Sequence, residues 1–333
     1  MYTNRDIDVS IIVPVYNVAD YVAGCLRSVM AQDAACAIEC IVVDDRGCDD
    51  SMKIVAETVA EYDGPIDFVT ITREQNGGLS AARNTGISHA RGRYVFFLDS
   101  DDALTPNAIS HLWAHVEAHP DVDVVFGVCE TTPEPRMRGD IFDFKAKGAL
   151  EYCDDLTVLR AQYLSFIEIA ADRLIRREWL LDNNLTFLEG ILYEDRHWHV
   201  RSYEKIRSYA CEMGDEPTYM YLQRGTSITG SADKSVEFSN YARIYTDLAQ
   251  RLTLWDRQVM LNFCGMIMYF KLRLLENRSP ELKAQFRSLM RTLLTRPDIG
   301  WRQKAVFRYL SLPTSISRRR VAYALTRLLV PAV

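Results

Sequence analysis

The chain has 333 residues, 48% hydrophobic and 25% charged, the balance of an ordinary globular protein with enough apolar content for one large domain or two. A formal net charge of −6 argues against a general nucleic-acid binder. The charge is uneven: Lys283–Val333 carries eleven Lys and Arg against one acid, Asp298, so +10 there faces −16 in the preceding residues.

The first third alternates strand and helix signals. VSIIVPV (9–15) is a β-branched apolar run that reads as a buried parallel strand. A helix is expected over 20–32, with Tyr21, Cys25, Val29 and Met30 on one face. IECIVVDD (38–45) is a second strand, and 50–62 a helix opened by Asp50 or Ser51. Strand 66–74, helix 80–90 and strand 93–99 follow, then a helix over 105–119 with a Thr105 cap and Pro106 at its first position. VDVVFGVCE (122–130) is a fifth strand; 131–150 reads as a loop, 151 to about 230 as mixed, and the chain from Val236 onward as helical. Alternation of this kind implies parallel strands with helical crossovers, and ligands that bind beyond the carboxyl ends of the strands.

The eight cysteines form no Cys-x-x-Cys pair and no Cys/His cluster of zinc spacing, so they read as reduced thiols of a cytosolic protein. MYTNRDIDVS has no signal-segment character, and no stretch reaches the roughly 20 apolar residues that span a bilayer. The expectation is a soluble or at most peripheral protein.

Two strand ends are acidic. Asp44 and Asp45 close the second, and YVFFLDSDD closes the fourth with Asp99, Asp101 and Asp102. Carboxylates so close repel one another unless something compensates them. An Asp-x-Asp pair suits a hard divalent cation that also binds phosphate oxygens. Helix capping by Asp101 and Asp102 is the plainer alternative.

VPVYN (13–17), VVDDRGCDDSM (42–52), NGGLSAARNTG (76–86) and FLDSDD, in that order, resemble the N-terminal half of the family 2 glycosyltransferases, which have the GT-A fold. The resemblance is clear over about 7–130, fades through 131–185, and returns at LYEDRHWH (192–199) and YMYLQRGTSITGS (219–231). It implies a Rossmann-like, mostly parallel α/β sheet flanked by helices in a domain over 1–232, with the acceptor part at about 131–232. A helical C-terminal domain with a basic amphipathic tail is expected over 233–333.

The resemblance also implies roles. Pro14, Tyr16 and Asn17 lie where the family packs base and ribose, and Tyr16 has the aromatic face for stacking. Asp45, or its neighbour Asp44, matches the carboxylate that accepts from uracil N3–H. The commoner DDGS is here DDRGCDDS, which puts Arg46 at the binding edge. Asn76, Gly77, Gly78 and Arg83 match the base and ribose–phosphate contacts, the glycines permitting close backbone approach. Asp99 and Asp101, with Ser100 between them, match the family's Asp-x-Asp: Asp101 is the preferred ligand of Mn²⁺ or Mg²⁺, and Asp99 lies near the ribose or a metal-bound water. Asp102 stands behind them or caps a helix.

Inverting transfer needs a base for the acceptor hydroxyl. The family pattern points to Asp195, supported by Glu194, although acids in a first helical turn are favoured without catalysis. Arg224 and Ser227 match a segment that can fold over the diphosphate. His197 and His199 read as packing and not as metal ligands. The implied reaction is hexosyl or N-acetylhexosaminyl transfer from a UDP-sugar to a saccharide, free or lipid-linked, in surface-glycan assembly. The rivals are a non-catalytic GT-A-like binding protein and a haloacid-dehalogenase-type phosphatase. The latter places its Asp-x-Asp on the first strand, unlike the fourth-strand motif here. Finally, 315–333 puts Val321, Leu325, Leu328 and Leu329 on one face among arginines, the pattern of a helix lying on an anionic membrane. That would hold the protein at the inner face of the cell membrane.

Overall fold

A computed structural model describes residues 6–132, 148–166, 168–214, 216–223, 234–276, 279–313 and 317–331. By contacts the chain forms two units, one comprising the residues up to 190 with 206–227, the other 191–205 with 228–333.

The first unit is built on β1 (Val9–Val15), β2 (Ile38–Asp44), β3 (Asp67–Thr72) and β4 (Tyr94–Phe97), joined by helices α1 (Val22–Met30), α2 (Ser51–Ala60) and α3 (Leu79–His89). β1 pairs parallel with both β2 and β4, and β2 with β3, so the expected crossovers hold. β1 and β2 are buried along their whole length, as continuous apolar strands covered on both faces should be. On α1 the buried residues are Val22, Cys25, Leu26 and Val29.

Beyond β4 the sheet changes character. It continues through β9 (Arg173–Arg176), β6 (Val124–Phe126), β10 (Tyr209–Cys211) and β8 (Tyr152–Cys153), giving eight strands in the order β3-β2-β1-β4-β9-β6-β10-β8. β9 runs antiparallel to both of its neighbours. The expected fifth strand over 122–130 is two strands in different sheets. β7 (Cys129–Thr132) leaves the large sheet and joins β5 (Ala103–Leu104) and β11 (Tyr219–Leu222) in a small one. The break falls at Gly127, where an added Cβ would lie 2.2 Å from Asp172 Oδ1 and Thr218 Oγ1. Gly127 N–H donates to Asp172 O (2.9 Å) and Val128 N–H to Thr218 Oγ1 (2.9 Å), which ends the ladder there. The next helix, α4 (Ala108–Ala118), starts later than expected, with Asn107 at its N-cap. Thr105 caps nothing; its hydroxyl donates to Pro217 O (2.7 Å) and so ties the helix entry to β11. Among the described residues the unit also holds two short α-helices, α5 (Leu156–Gln162) and α6 (Arg177–Asp182).

The second unit is helical: α7 (Glu194–Tyr203), α8 (Lys234–Arg251), α9 (Arg257–Glu276), α10 (Pro280–Thr295), α11 (Trp301–Ser311) and α12 (Arg319–Leu329). α7 is anchored to its neighbours by polar bonds. His197 Nε2 lies 2.7 Å from Asp247 Oδ2, and the Tyr203 hydroxyl donates to the Asp256 carboxylate. Burial lowers the His197 pKa, favouring the neutral ring. Trp255, Phe263 and Phe307 pack edge to face in the core of the unit. Among the described residues, no helix is long and apolar enough to cross a membrane.

Candidate active site

The carboxyl ends of β1 and β2 carry a loop whose centre is Asp45. This side chain is 2% exposed, and its backbone N–H continues the β1 ladder to Val15 O. Its carboxylate accepts from Gly77 N–H (3.0 Å), Gly78 N–H (2.8 Å) and the Arg73 guanidinium, while Asn76 Nδ2 donates to Asp45 O (3.0 Å). One buried charge thus gathers the whole 73–78 turn, a charge-assisted arrangement stronger than neutral hydrogen bonds. Gly78 has φ 81°, a left-handed conformation that glycine adopts without strain, and it delivers the chain into α3. Arg73 lies outside the family motifs, and sequence reading missed it.

The neighbouring carboxylate of Asp44 accepts from Arg46 N–H (2.8 Å), and Arg46 Nε donates to Arg73 O (2.6 Å). Arg46 has φ 60°, in the left-handed region that favours glycine, where the commoner motif carries that residue. Asn17 also has positive φ, 53°, and its Oδ1 accepts from Cys48 N–H (2.8 Å), so it props the 46–50 loop. Pro14 is buried within β1 opposite Val43, and Tyr16 is 50% exposed, with its ring accessible.

The other acidic strand end, after β4, is held from two sides. Arg83, buried on α3, donates through Nη2 to Asp99 Oδ1 (2.8 Å), and its guanidinium lies over the rings of Phe97 and Phe187. From the other side the Tyr219 hydroxyl of β11 donates to Asp102 Oδ2 (2.7 Å) and accepts from Asp99 N–H (3.2 Å). Leu222 N–H donates to Asp102 Oδ1 (2.8 Å). Ser100 and Asp102 are buried, while Asp99 and Asp101 are half-buried. Burial, and then the like charges of Asp99 and Asp101, push the Asp102 carboxyl up to about 8. Tyr219 opens the YMYLQRGTSITGS stretch, but nothing local marked its role, because its partners lie more than a hundred residues away.

Among the described residues, no three His, Cys, Asp or Glu side chains converge as a ready-made metal cage. The donor set nevertheless fits a hard divalent cation. Asp99 and Asp101 supply carboxylate oxygens with partial solvent access. The remaining ligands of such an ion would come from phosphate and water.

Glu194 and Asp195 form the first turn of α7, in the helical unit, after Tyr193 at φ 63°; Glu194 is 5% exposed and Asp195 half-buried. A helix N-terminus favours both charges. Arg224 and Ser227 lie outside the described residues.

Known proteins give the same architecture. The structure of S. aureus TarS 1–349 in complex with UDP-GlcNAc superposes with a TM-score of 0.72, at 19% identity, over 97% of this chain and 92% of that one. At that identity the likeness is one of fold, and the fold class is GT-A. Residues 10–182, just over half of the chain, match Glycosyl transferase family 2, and the chain belongs to this family. Relatives include the glycosyltransferase YibD of Escherichia coli K12, 26% identical over 78% of this chain and 73% of its own length. EpsJ of Bacillus subtilis 168 is 32% identical over 66% of this chain and 62% of its own length. A Bacillus spizizenii poly(ribitol-phosphate) beta-glucosyltransferase is 35% identical over 65% of this chain, which spans 33% of that longer protein.

Proposed function

We propose that the protein is an inverting, metal-dependent transferase. It moves a hexosyl or N-acetylhexosaminyl group from a UDP-sugar to a saccharide acceptor, free or lipid-linked. It acts on the cytoplasmic side, in assembly of a bacterial surface glycan such as capsule, O-antigen or exopolysaccharide. The observation that carries this reading is the acidic turn at 99–102, bound by Arg83 and Tyr219 at the carboxyl end of β4. Support for the donor comes from TarS, which was solved with UDP-GlcNAc. Support for the acceptor class comes from the poly(ribitol-phosphate) beta-glucosyltransferase relative.

In this reading Tyr16 stacks on the base, and Asp45 or Asp44 accepts from uracil N3–H. Pro14, Asn17, Asn76, Gly77, Gly78, Arg83 and Ser100 shape the rest of the donor contacts. Asp195, supported by Glu194, takes the proton of the acceptor hydroxyl. The acceptor oxygen bonds to the anomeric carbon from the face opposite UDP, and the bond to the phosphate oxygen breaks with its electrons, inverting the centre. Asp101 with Asp99 would hold Mn²⁺ or Mg²⁺, which when bound would supply charge compensation for the leaving diphosphate.

The test is thermal stabilisation by UDP-, GDP- and dTDP-sugars with and without Mn²⁺, since a bound donor raises stability by mass action. A UDP-sugar alone should stabilise, chiefly with metal, and Asp101→Ala should remove the metal-dependent part. Asp195→Asn should keep donor stabilisation and lower transfer by about 10²–10⁴-fold, the range of general-base catalysis. Preference for GDP- or dTDP-sugars, or full transfer by Asp195→Asn, overturns the corresponding assignment.

A further inference from the structure

The C-terminal helix α12 buries a different face from the one its sequence suggests. Ala322, Thr326 and Val330, at four-residue spacing, are 0%, 0% and 1% exposed. Thr326 Oγ1 lies 3.4 Å from Cys264 Sγ of α9, and Arg257 Nε donates to Val330 O (3.0 Å). Small residues at 322 and 326 let the two helices approach closely, so the larger aliphatics turn away. Leu325 and Leu329 sit at the boundary, while Leu328 is 80% and Val321 42% exposed. Ala324 lies between them on the outward stripe, and Arg318, Arg320 and Arg327 are exposed beside it. None of these three arginines pairs with a carboxylate among the described residues; Arg319 is engaged by the Tyr323 hydroxyl (3.0 Å). The preceding helix α11 repeats the theme with Trp301, 69% exposed, and exposed Arg302 and Arg308. After Asp298 the sequence contains seven Lys and Arg and no acid.

An outward apolar stripe flanked by arginines that meet no carboxylate among the described residues has the chemistry of a peripheral membrane contact. The aliphatic side chains enter the acyl boundary, and the guanidinium groups meet lipid phosphates. A water-facing helix gains nothing from an exposed Leu, and a protein partner would be expected to answer so many cations with acids. We propose that the outward face of α12 docks on an anionic lipid bilayer. The docking adds a location to the donor and acceptor chemistry above, and it does not rest on that chemistry.

The experiment is co-sedimentation of the full chain with phosphatidylcholine vesicles, with and without phosphatidylglycerol. The protein should pellet with the anionic vesicles only, and high salt should release it. Leu328→Glu, and separately Arg320→Gln with Arg327→Gln, should each weaken partitioning by about tenfold or more. Because these side chains are exposed, the variants should keep the wild-type melting temperature. The proposal is overturned if the wild type stays in the supernatant with anionic vesicles, or if Leu328→Glu pellets as the wild type does. It also falls if Leu328→Glu leaves vesicle binding intact and instead splits a dimer in light scattering, since a second copy would then cover the stripe.

Discussion

Tyr219→Phe isolates one oxygen atom in the acidic turn. The ring is 1% exposed and packs near Phe96, so the substitution keeps the shape and removes only the hydroxyl. Two bonds go with it: the donation to Asp102 Oδ2 (2.7 Å) and the acceptance from Asp99 N–H (3.2 Å). Leaving a buried polar group unsatisfied costs about 1–3 kcal/mol each, so the pair should cost about 2–6 kcal/mol. For a unit of this size each kcal/mol moves Tm by about 2–4 °C, giving a drop of roughly 4–24 °C. Urea denaturation should show a lower midpoint with an unchanged slope, because the surface exposed on unfolding is the same. Mn²⁺-dependent stabilisation by UDP should weaken as well, since Asp99 loses the bond that fixes its backbone. A variant within 0.5 kcal/mol of the wild type by about the usual surface tolerance, with unchanged UDP stabilisation, would show that the hydroxyl does not clamp the turn.

The Asp45–Arg73 pair should behave as a coupled unit. A double-mutant cycle with Asp45→Ala and Arg73→Ala should return about 1–3 kcal/mol of coupling, and additive losses would refute the pairing. Asp172 supplies a pH test. Burial pushes its carboxyl up to about 7, against the pull of the Thr218 hydroxyl and Arg173. Between about pH 4 and 7 the folded state therefore holds a proton that the unfolded chain has released, and stability falls as pH rises through that window. Asp172→Asn keeps an acceptor for Thr218 and tolerates the φ of 57°. Its urea midpoint should fall less than the wild type's between pH 5 and 8 in buffers chosen about those values, and parallel profiles would count against the raised pKa. Gly127→Ala should lower stability by about 1–3 kcal/mol through the clash with Asp172 and Thr218, and an unchanged urea midpoint would dismiss that clash.

Much of the N-terminal half was legible because its signals are local. Each parallel strand is a short apolar run, and burial on both faces leaves no polar residue to blur it. The glycines at 77 and 78 mark a turn in any context. Elsewhere local signals misled or were silent. β9 has four residues framed by arginines, a poor strand by composition, yet it lies between β4 and β6. Thr105 and Pro106 look like a helix start, but Thr105 is drawn to β11 by a hydrogen bond that local sequence does not encode.

The order of the first four strands and three helices, the glycine turn and the acidic strand ends were determined by sequence alone, since neighbouring residues carry them. Tertiary structure alone decided which side chains hold those carboxylates, Arg73 for Asp45 and Tyr219 for Asp102, and which face of α12 meets solvent. Those choices depend on partners distant along the chain, and a one-dimensional pattern has no term for the shape that brings them together.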